Sequence, residues 1–536
     1  MSYIDYLKDM KFIQGQDRFQ TSLFPVSLDS AIDQDNEVRL IDMFVDSLDL
    51  KPLGFDVDFV DNGRPAYHPK DLLKLYMYGY MNKVRSSRDL EKETKRNIEM
   101  IWLLKGLSPD HNTINNFRKN NPKAIKKVFR STVEIARNFD LIGGLLLAGD
   151  GSKLRAQNSK KNNYNQKKLD RHLKYIDEKL EEYTSKLAEA DGDDKNEIEG
   201  KINQQKQRKA GYKQLEEQLK QTGEKQISTS DPDSKQLIIR GVITEVAYNV
   251  QSTVDSKHKI PIDYEVTNQN DAAAMGNMAR RAKSIIKHNR FSMLFDKGYH
   301  SGKELSKVQM LGIDTHVAIP SVPKTSQAPN PEYNVENFTY NHTSDSYTCP
   351  QGKTLRSNQK WYNSPNYHFK QYKTKACQSC LARSECSLAK NGKIIQRSEY
   401  QDAVEKNKEN ILANPAIYKR RQALVEHPFG TIKRQWGFDH IMTKKTKARA
   451  SADVGFIFIA YNLRRILTLI DKKDLIAYLR AFMPLFFAYK IEFALGRLQE
   501  KLMRNLIRKI RIIPFFRQAI IDNYKIRIMS DFNPGF

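Results

Sequence analysis

The chain has 536 residues, and its 89 Lys and Arg outnumber its 63 Asp and Glu, which gives a formal net charge of +26. The length allows three or four domains at about 100–200 residues each, and 39% hydrophobic residues argue against a disordered chain. The N-terminus lacks a secretory apolar stretch, and no apolar run approaches the roughly 20 residues that span a bilayer, so we expect neither a secreted nor a transmembrane protein. The excess of cations favours a polyanionic partner, either nucleic acid or an anionic membrane surface.

Residues 1–140 are predicted to form a helical N-terminal domain. Pro69 opens a run with apolar residues at helical spacing, and further helices are predicted over 87–95 and 97–105. A turn, an Asp cap and a basic helix that includes Arg118 follow. Several short helices that end in a basic one are typical of a DNA-binding helix-turn-helix, and a plain helical domain with a solvated face is the alternative.

A buried strand and a helical hairpin are predicted next. The apolar run within 141–159 indicates a strand of the core, with Asp150 at its carboxyl end. Residues 160–230 follow, and apolar residues spaced four and three apart from Leu169 to Leu187 predict an antiparallel helical hairpin inserted into this core. We interpret the apolar stripe as the seam between the two helices, and a dimerisation zipper is the alternative.

The rest of the chain divides into four parts. Residues 231–320 contain strands followed by alternating helices and strands, which predicts the second part of a mixed α/β core. Residues 321–403 are rich in Pro, Ser and Asn and contain every cysteine. Residues 404–474 are predicted to be C-terminal core helices with a surplus of cations, and residues 475–536 form a basic, apolar tail without an assigned role.

The cysteines indicate a local metal site in a reducing compartment. The four are Cys349, Cys377, Cys380 and Cys386. The C-x2-C pair is a good zinc half-site, and four thiolates make a closed, structural zinc site without an open position. The alternatives are four free thiols, or His342 or His368 in place of one sulfur ligand.

Three acidic residues are candidates for a second metal site. Asp150 and Asp296 each follow an apolar strand, where a carboxylate is costly unless something pairs with it. Two carboxylates at the ends of neighbouring strands can face one Mg²⁺, which prefers oxygen ligands. Glu426 lies on a basic helix and is the third candidate. Each residue alone also fits a bland interpretation, as a turn residue, a helix cap or part of a solvated helix.

The sequence resembles a known family at several motifs. GDGSKLRAQNS, LFDKGYHSGKEL and VEHPFGTIKRQWGF, in that order, are similar to the DDE transposases of bacterial insertion sequences, in the branch with a Tyr–Arg–Glu–Lys helix and a cysteine-bearing insert. HPKDLLKLYMYGY, DHNTINNFR and IAYNLRR extend the likeness over most of the chain before the tail. The resemblance implies an RNase H-like core, interrupted by the hairpin and the Cys-rich insert, with Asp150, Asp296 and Glu426 as its metal-binding triad.

The chemistry that the resemblance implies is phosphoryl transfer on DNA. Two Mg²⁺ ions, for which Mn²⁺ can substitute, would activate a water or a 3′-hydroxyl and stabilise the leaving oxygen. The residues expected to contact DNA are Tyr418, Arg421, Lys433, Arg434 and Arg118. Four residues separate Arg421 from Glu426 where the family pattern has three, so either Arg420 or Arg421 fills the arginine position.

The predicted function is therefore that of an insertion-sequence transposase that cleaves DNA at element ends and transfers the strands into target DNA. The expected partners are double-stranded DNA, with terminal inverted repeats and a target, and a second copy of the chain when assembled on DNA. The expected location is the bacterial cytoplasm, in association with the nucleoid and without a membrane. The alternatives are a nuclease of the same core that only hydrolyses DNA, and a catalytically silent DNA-binding protein derived from a transposase.

Overall fold

The computed structural model describes residues 27–57, 66–189, 191–240, 242–286, 288 and 290–481. Most of the tail predicted over 475–536 therefore lies outside the described residues. Within the described ranges, no helix combines the length and the apolar character needed to cross a bilayer.

The N-terminal region is helical, as predicted. Its helices are α1 (Glu37–Asp46), α2 (Leu50–Leu53), α3 (Pro69–Met81), α4 (Ser87–Arg96), α5 (Ile98–Leu103), α6 (His111–Asn120) and α7 (Pro122–Asn138). Helix α3 begins at Pro69, and the side chain of the preceding His68 caps it by accepting from the Lys70 amide. Asp110 caps α6 through the amides of Asn112 and Thr113. The start signals read from the sequence therefore fix these helix boundaries.

A mixed sheet forms the core of the α/β region and confirms the mixed α/β part of the predicted fold class. The strands up to residue 320 are β1 (Leu146–Arg155), β2 (Asn163–Tyr164), β3 (Ile227–Ser228), β4 (Lys235–Arg240), β5 (Ile243–Asp255), β6 (Pro261–Thr267), β7 (Ser292–Phe295) and β8 (Asp314–Val317). The main sheet has the order β4–β5–β1–β7–β8, and β6 also pairs with β5. Strand β5 is antiparallel to β1, whereas β7 and β8 run parallel to β1.

The predicted helical hairpin is present between β2 and β3. Its helices are α8 (Gln166–Glu189) and α9 (Asp193–Thr222). Leu169 and Ile176 of the apolar stripe are fully buried. The rings of His172 and Tyr212 stack with their centroids 4.9 Å apart, so the start of α8 lies beside the second half of α9. The stripe is therefore the seam of an antiparallel pair.

A second sheet follows. It is built from β9 (Thr339–Asn341), β10 (Ser346–Thr348), β11 (Thr354–Ser357), β12 (Tyr362–Asn363), β13 (His368–Lys373) and β14 (Ile395–Ser398). The remaining helices are α10 (Met275–Ile286), α11 (Gly302–Met310), α12 (Arg383–Cys386), α13 (Gln401–Ala413), α14 (Pro415–Gly430) and α15 (Lys447–Leu469). The second sheet has a small core of its own that includes Tyr347, Leu355 and Tyr372.

Helix α15 joins the N-terminal helices to the sheet, because it packs against α3, α7 and β6. Asp453 on α15 is fully buried and pairs with Arg85 Nη2 at 2.7 Å and with Arg118 Nη1 at 3.3 Å. Arg118 is 2% exposed and also donates to the Tyr80 hydroxyl at 2.7 Å. The predicted DNA contact of Arg118 is therefore wrong, since its guanidinium is used in the interior.

Candidate active site

Asp150 and Asp296 lie at the point where β1 and β7 separate. The parallel pairing of these strands ends at Ala148 and Leu294, and each aspartate lies two residues beyond that pair. On its other side β1 stays paired with the antiparallel β5 as far as Arg155. Asp150 is therefore inside a strand and not at its end as predicted, because the sequence motif marks only where the parallel pairing stops.

Two glycines beside Asp150 allow a close approach from one face of the sheet. A Cβ at Gly149 would lie 2.7 Å from Phe295 Cδ1, and a Cβ at Gly151 would lie 2.7 Å from Gln251 Nε2. Neither distance is compatible with a side chain in these positions. The Gly-Asp-Gly sequence therefore keeps the strand flat against its packing on one face while Asp150 projects from the other.

The neighbours of Asp150 only partly offset the cost of burying its charged carboxylate. Burial raises its pKa to about 6, although Arg421 and the Gly151 amide act in the opposite direction. Arg421 Nη1 lies 3.9 Å from Asp150 Oδ1. Ser252 stands opposite Asp150 on β5, and its buried hydroxyl has no hydrogen-bond partner among the described residues. A cation beside Asp150 would stabilise the anion, so the donor set fits a divalent metal.

Asp296 begins the turn after β7. Its carboxylate accepts from the Lys297 amide at 2.7 Å, which caps the short helical turn Lys297–Tyr299. Burial raises the pKa of Tyr418 on α14, the neighbouring Arg421 opposes this rise, and the charges of Asp296 and Asp150 close to Tyr418 add to it. The structure thus places Asp150, Asp296, Tyr418 and Arg421 in one region, and their roles in binding metal and DNA stay predictions.

Glu426 is placed differently from the two aspartates. Helix α14 packs Leu424 and Val425 against β1 and β7. Glu426 follows Arg421 by five residues, about 140° around the helix, and is exposed. Its Oε1 accepts from Gln422 Nε2 at 2.9 Å. In the described chain the ligand oxygens of Asp150, Asp296 and Glu426 do not all lie within 4.8 Å of one another, and Glu426 stays a predicted ligand.

Lys433 contacts the strand that carries Asp150. It lies in a π-helical turn, Thr431–Gln435, that continues α14. Its Nζ donates to Ser152 Oγ and to the Lys153 carbonyl, each at 2.9 Å. Arg434 is exposed beside it. Lys433 therefore ties α14 to β1 two residues beyond Asp150, and Arg434 remains open to a ligand.

A half-buried carboxylate that the sequence did not reveal lies behind Gly151. Asp271 Oδ1 accepts from Asn249 Nδ2 at 2.8 Å and from Gln251 Nε2 at 2.7 Å, and its Oδ2 accepts from Lys153 Nζ at 2.9 Å. The hydroxyl of Tyr299, in the turn that follows Asp296, lies 3.5 Å from Oδ1. Burial opposes the ionisation of Asp271, but the hydrogen bonds from its neighbours hold its pKa below the usual value. In sequence, Asn-Gln-Asn-Asp reads only as a loop.

Comparison with known proteins identifies the family. Residues 26–120 match the model of a transposase domain (DUF772), and residues 348–467 match the model of a transposase DDE domain. Together the two matches support a DDE transposase of the insertion-sequence type. No curated protein matches the chain. Among solved structures, the cryo-EM structure of a piggyBac transposase synaptic complex with hairpin DNA is similar at a TM-score of 0.27 and 10% identity, over 90% of this chain and 84% of that one.

The thiols of the transposase lie beside its second sheet. Cys349 and Cys386 pack against the core of that sheet, and the Lys353 amide donates to Cys349 Sγ at 3.2 Å. Burial raises the pKa of the Cys386 thiol, and the three other cysteines raise it further, so all four are neighbours. Within the described residues, no three of these sulfurs lie within 4.8 Å of one another. His342 groups instead with the carboxylates of Asp402 and Glu405.

Proposed function

We propose that this transposase cuts DNA at the ends of an insertion sequence, and joins the ends to target DNA, at a divalent-metal site held by Asp150 and Asp296. The observation that carries the proposal is the position of the two carboxylates, each two residues beyond the last parallel pair of β1 and β7. The sheet order, with β5 antiparallel to its neighbours β1, β4 and β6 and with β7 and β8 parallel to β1, supports an RNase H-like core interrupted by the helical hairpin and the Cys-rich segment.

The residues of the chain have separate tasks in this proposal. Asp150 and Asp296 would hold the metal, and Arg421 would offset the negative charge of a phosphate close to Asp150. Lys433 holds β1 against α14 and so keeps Asp150 in place. Bound Mg²⁺ or Mn²⁺ would activate the attacking water or 3′-hydroxyl and stabilise the leaving oxygen.

Glu426 is proposed as the third metal ligand on the family pattern. In the described chain its carboxylate is held by Gln422 alone, at the surface of α14. Because Gln422 and Glu426 are both exposed, a change of the Glu426 rotamer is enough to release its carboxylate from Gln422. The position therefore suits a ligand that is recruited when metal and DNA are both bound.

The triad is tested by Asp150→Asn, Asp296→Asn and Glu426→Gln. Each variant is expected to lose cleavage of an end-bearing duplex in Mg²⁺ while binding that duplex nearly as the parent does, and their effects are expected to be non-additive. Full cleavage by Glu426→Gln alone would remove Glu426 from the triad and leave the aspartate pair standing. Full cleavage by either aspartate variant would refute the site.

The further parts of the proposal concern partners and zinc. We expect terminal inverted repeats as the DNA ends, a dimer assembled on DNA, and a bacterial location at the nucleoid. A structural zinc ion would draw the four neighbouring thiols together, and elemental analysis of purified protein should find about one zinc per chain. A strand-transfer assay with pre-cleaved ends separates a transposase from a nuclease that only hydrolyses, and the absence of nicking in any metal would indicate a silent DNA-binding protein.

A further inference from the structure

A cationic cleft lies at the base of the helical hairpin. Its volume is 440 Å³, and it opens between the turn that precedes α8 and the strand β4. The side chains that line it are four cations, Lys160, Lys161, Lys168 and Arg171, and three carboxamides. No carboxylate of the described chain lines the cleft. Such a lining is suited to an anion.

The cleft is built around Lys168. Its Nζ donates to the backbone carbonyls of Lys160, Lys161 and Asn163, at 2.8, 2.9 and 2.9 Å. These hydrogen bonds fix the turn before α8, and they use the three N–H donors of Lys168 on backbone carbonyls. The ammonium group also lies 4.4 Å from the centre of the Tyr164 ring. Lys168 is therefore a structural cation, and its charge adds to that of the cleft without being neutralised.

The charges of the cleft differ from those on the rest of the hairpin. Along α8 and α9 several lysines pair with carboxylates, as in Lys174–Glu178, Lys179–Glu182, Lys201–Glu197 and Lys209–Asp177. Lys161 and Arg171 form no ion pair among the described residues, and Lys160 lies 3.6 Å from Glu245 in an exposed pair. Burial and the charge of Arg171 both lower the pKa of Lys168. The positive potential is thus concentrated at the base, whereas the remainder of the hairpin is balanced.

An unpaired amide donor beside the cations also indicates an anion site. Asn163 is 5% exposed, and its Nδ2 has no hydrogen-bond partner in the described chain. A buried amide donor without an acceptor is destabilising. An oxyanion in the cleft would supply the missing acceptor together with countercharge, after a small rotation of the amide.

We propose that the cleft binds a phosphodiester of the same DNA duplex that the active site cuts. The helical hairpin would then position the DNA. This inference rests on the proposed function. Arg155 lies five residues beyond Asp150 on β1, about 17 Å at the rise of a strand, and Lys160 follows five residues later. The ten residues from Asp150 to Lys160 therefore reach at most about 36 Å, which is close to one turn of B-form DNA, about 34 Å. A duplex cut at Asp150 would therefore present a backbone phosphate to the cleft within about one helical turn.

The test neutralises the cleft and measures the salt dependence of binding. The full-length variant Lys161→Gln/Arg171→Gln removes two exposed cations without touching Lys168 or the aspartates. Binding to a duplex of about 40 base pairs is measured over a range of salt. The slope of log K against log salt should flatten by up to about 0.9 per lost phosphate contact, that is by one to two units. The control Lys195→Gln/Lys206→Gln removes two exposed cations from α9, outside the cleft, and should leave the slope nearly unchanged.

A second measurement locates the contact. Ethylation interference on the parent should mark phosphates within about one turn of the cut, and the Lys161→Gln/Arg171→Gln variant should lose those marks. Equal flattening in both double variants, or interference marks unchanged in the cleft variant, overturns the proposal. Failure of the active-site assignment gives a different result. Cleavage by Asp150→Asn tests that assignment, whereas the DNA binding and the interference pattern of the same variant still report on the cleft.

Discussion

The half-buried Asp271 gives a sharp prediction, because its one carboxylate contacts both elements that carry the proposed metal-binding aspartates. Its two oxygens accept from Lys153 on β1 and from Asn249 and Gln251 on β5. It also lies beside Tyr299, whose turn begins at Asp296. Asp271→Asn keeps the shape of this side chain but exchanges one acceptor for a donor.

The amide cannot satisfy these neighbours in either orientation. With its NH₂ group towards Lys153 it opposes an ammonium donor, and with its NH₂ group towards Asn249 and Gln251 it opposes two amide donors. Losing a hydrogen bond to a charged group and leaving a buried donor unpaired costs about 2–4 kcal/mol in the free energy of unfolding. Because the turn of Asp296 loses an anchor, a displacement of about 1 Å at the metal site would reduce cleavage by about 100-fold.

The assay compares Asp271→Asn with Asp263→Asn. Asp263 on β6 is 1% exposed and pairs with Arg130 at 2.6 Å and Arg281 at 2.5 Å, so it is a buried, paired aspartate of the same sheet. Both variants should lose stability in chemical denaturation. Only Asp271→Asn should need more Mg²⁺ for half-maximal cleavage, at a temperature where both are folded and bind DNA.

Two results would refute this reasoning. If Asp271→Asn loses stability but cleaves with the parent's Mg²⁺ dependence, the network does not position the aspartates. If both variants lose cleavage equally, the effect is a general consequence of destabilising the sheet.

Three other perturbations test the structure. Burial raises the pKa of Asp150 from 3.8 to about 6, so the protonated carboxyl favours folding, and the stability of the metal-free protein should fall as the pH rises through about 6. This loss is worth up to about 3 kcal/mol near pH 8. Asp150→Asn should remove it, as measured by denaturation in the presence of a chelator. Gly151→Ala should destabilise by about 1–3 kcal/mol, whereas Gly200→Ala, with open space around it in α9, should stabilise by about 0.5–1 kcal/mol in the same denaturation assay. Arg118→Met should cost about 3 kcal/mol or more by leaving Asp453 under-paired, yet leave the ratio of end to random DNA binding unchanged in competition assays on folded protein.

The secondary structure was largely predictable because its local signals are strong. Pro69 and Asp110 mark helix starts, and the stripe from Leu169 onwards marks the hairpin seam. Asp150 and Asp296 were predictable as a pair because parallel strands bring their carboxyl ends to the same edge of a sheet. That argument needs only the topology, not the position of any side chain.

The environment of buried charges was not predictable from the same signals. Arg118 has the sequence context of an exposed basic helix, yet Asp453, more than 300 positions later in the chain, determines where its guanidinium lies. Asp271 likewise acquires its role from Lys153 and Gln251, which neither periodicity nor a motif connects to it. Long-range pairing of polar groups depends on tertiary packing, and one sequence does not encode it as a local pattern.

The phase of α14 explains why the third carboxylate is the hardest to place. The family spacing from Arg421 leads to position 425, and here that position is a valine, 1% exposed against β1 and β7. A carboxylate at 425 would be buried among apolar side chains, so the acid at 426 lies about 100° further around the helix. From Glu426 the same spacing leads back to Gln422, which donates to it across one turn. The packing of Val425 therefore sets the helix rotation, and Gln422 takes the place that an arginine would have beside the acid.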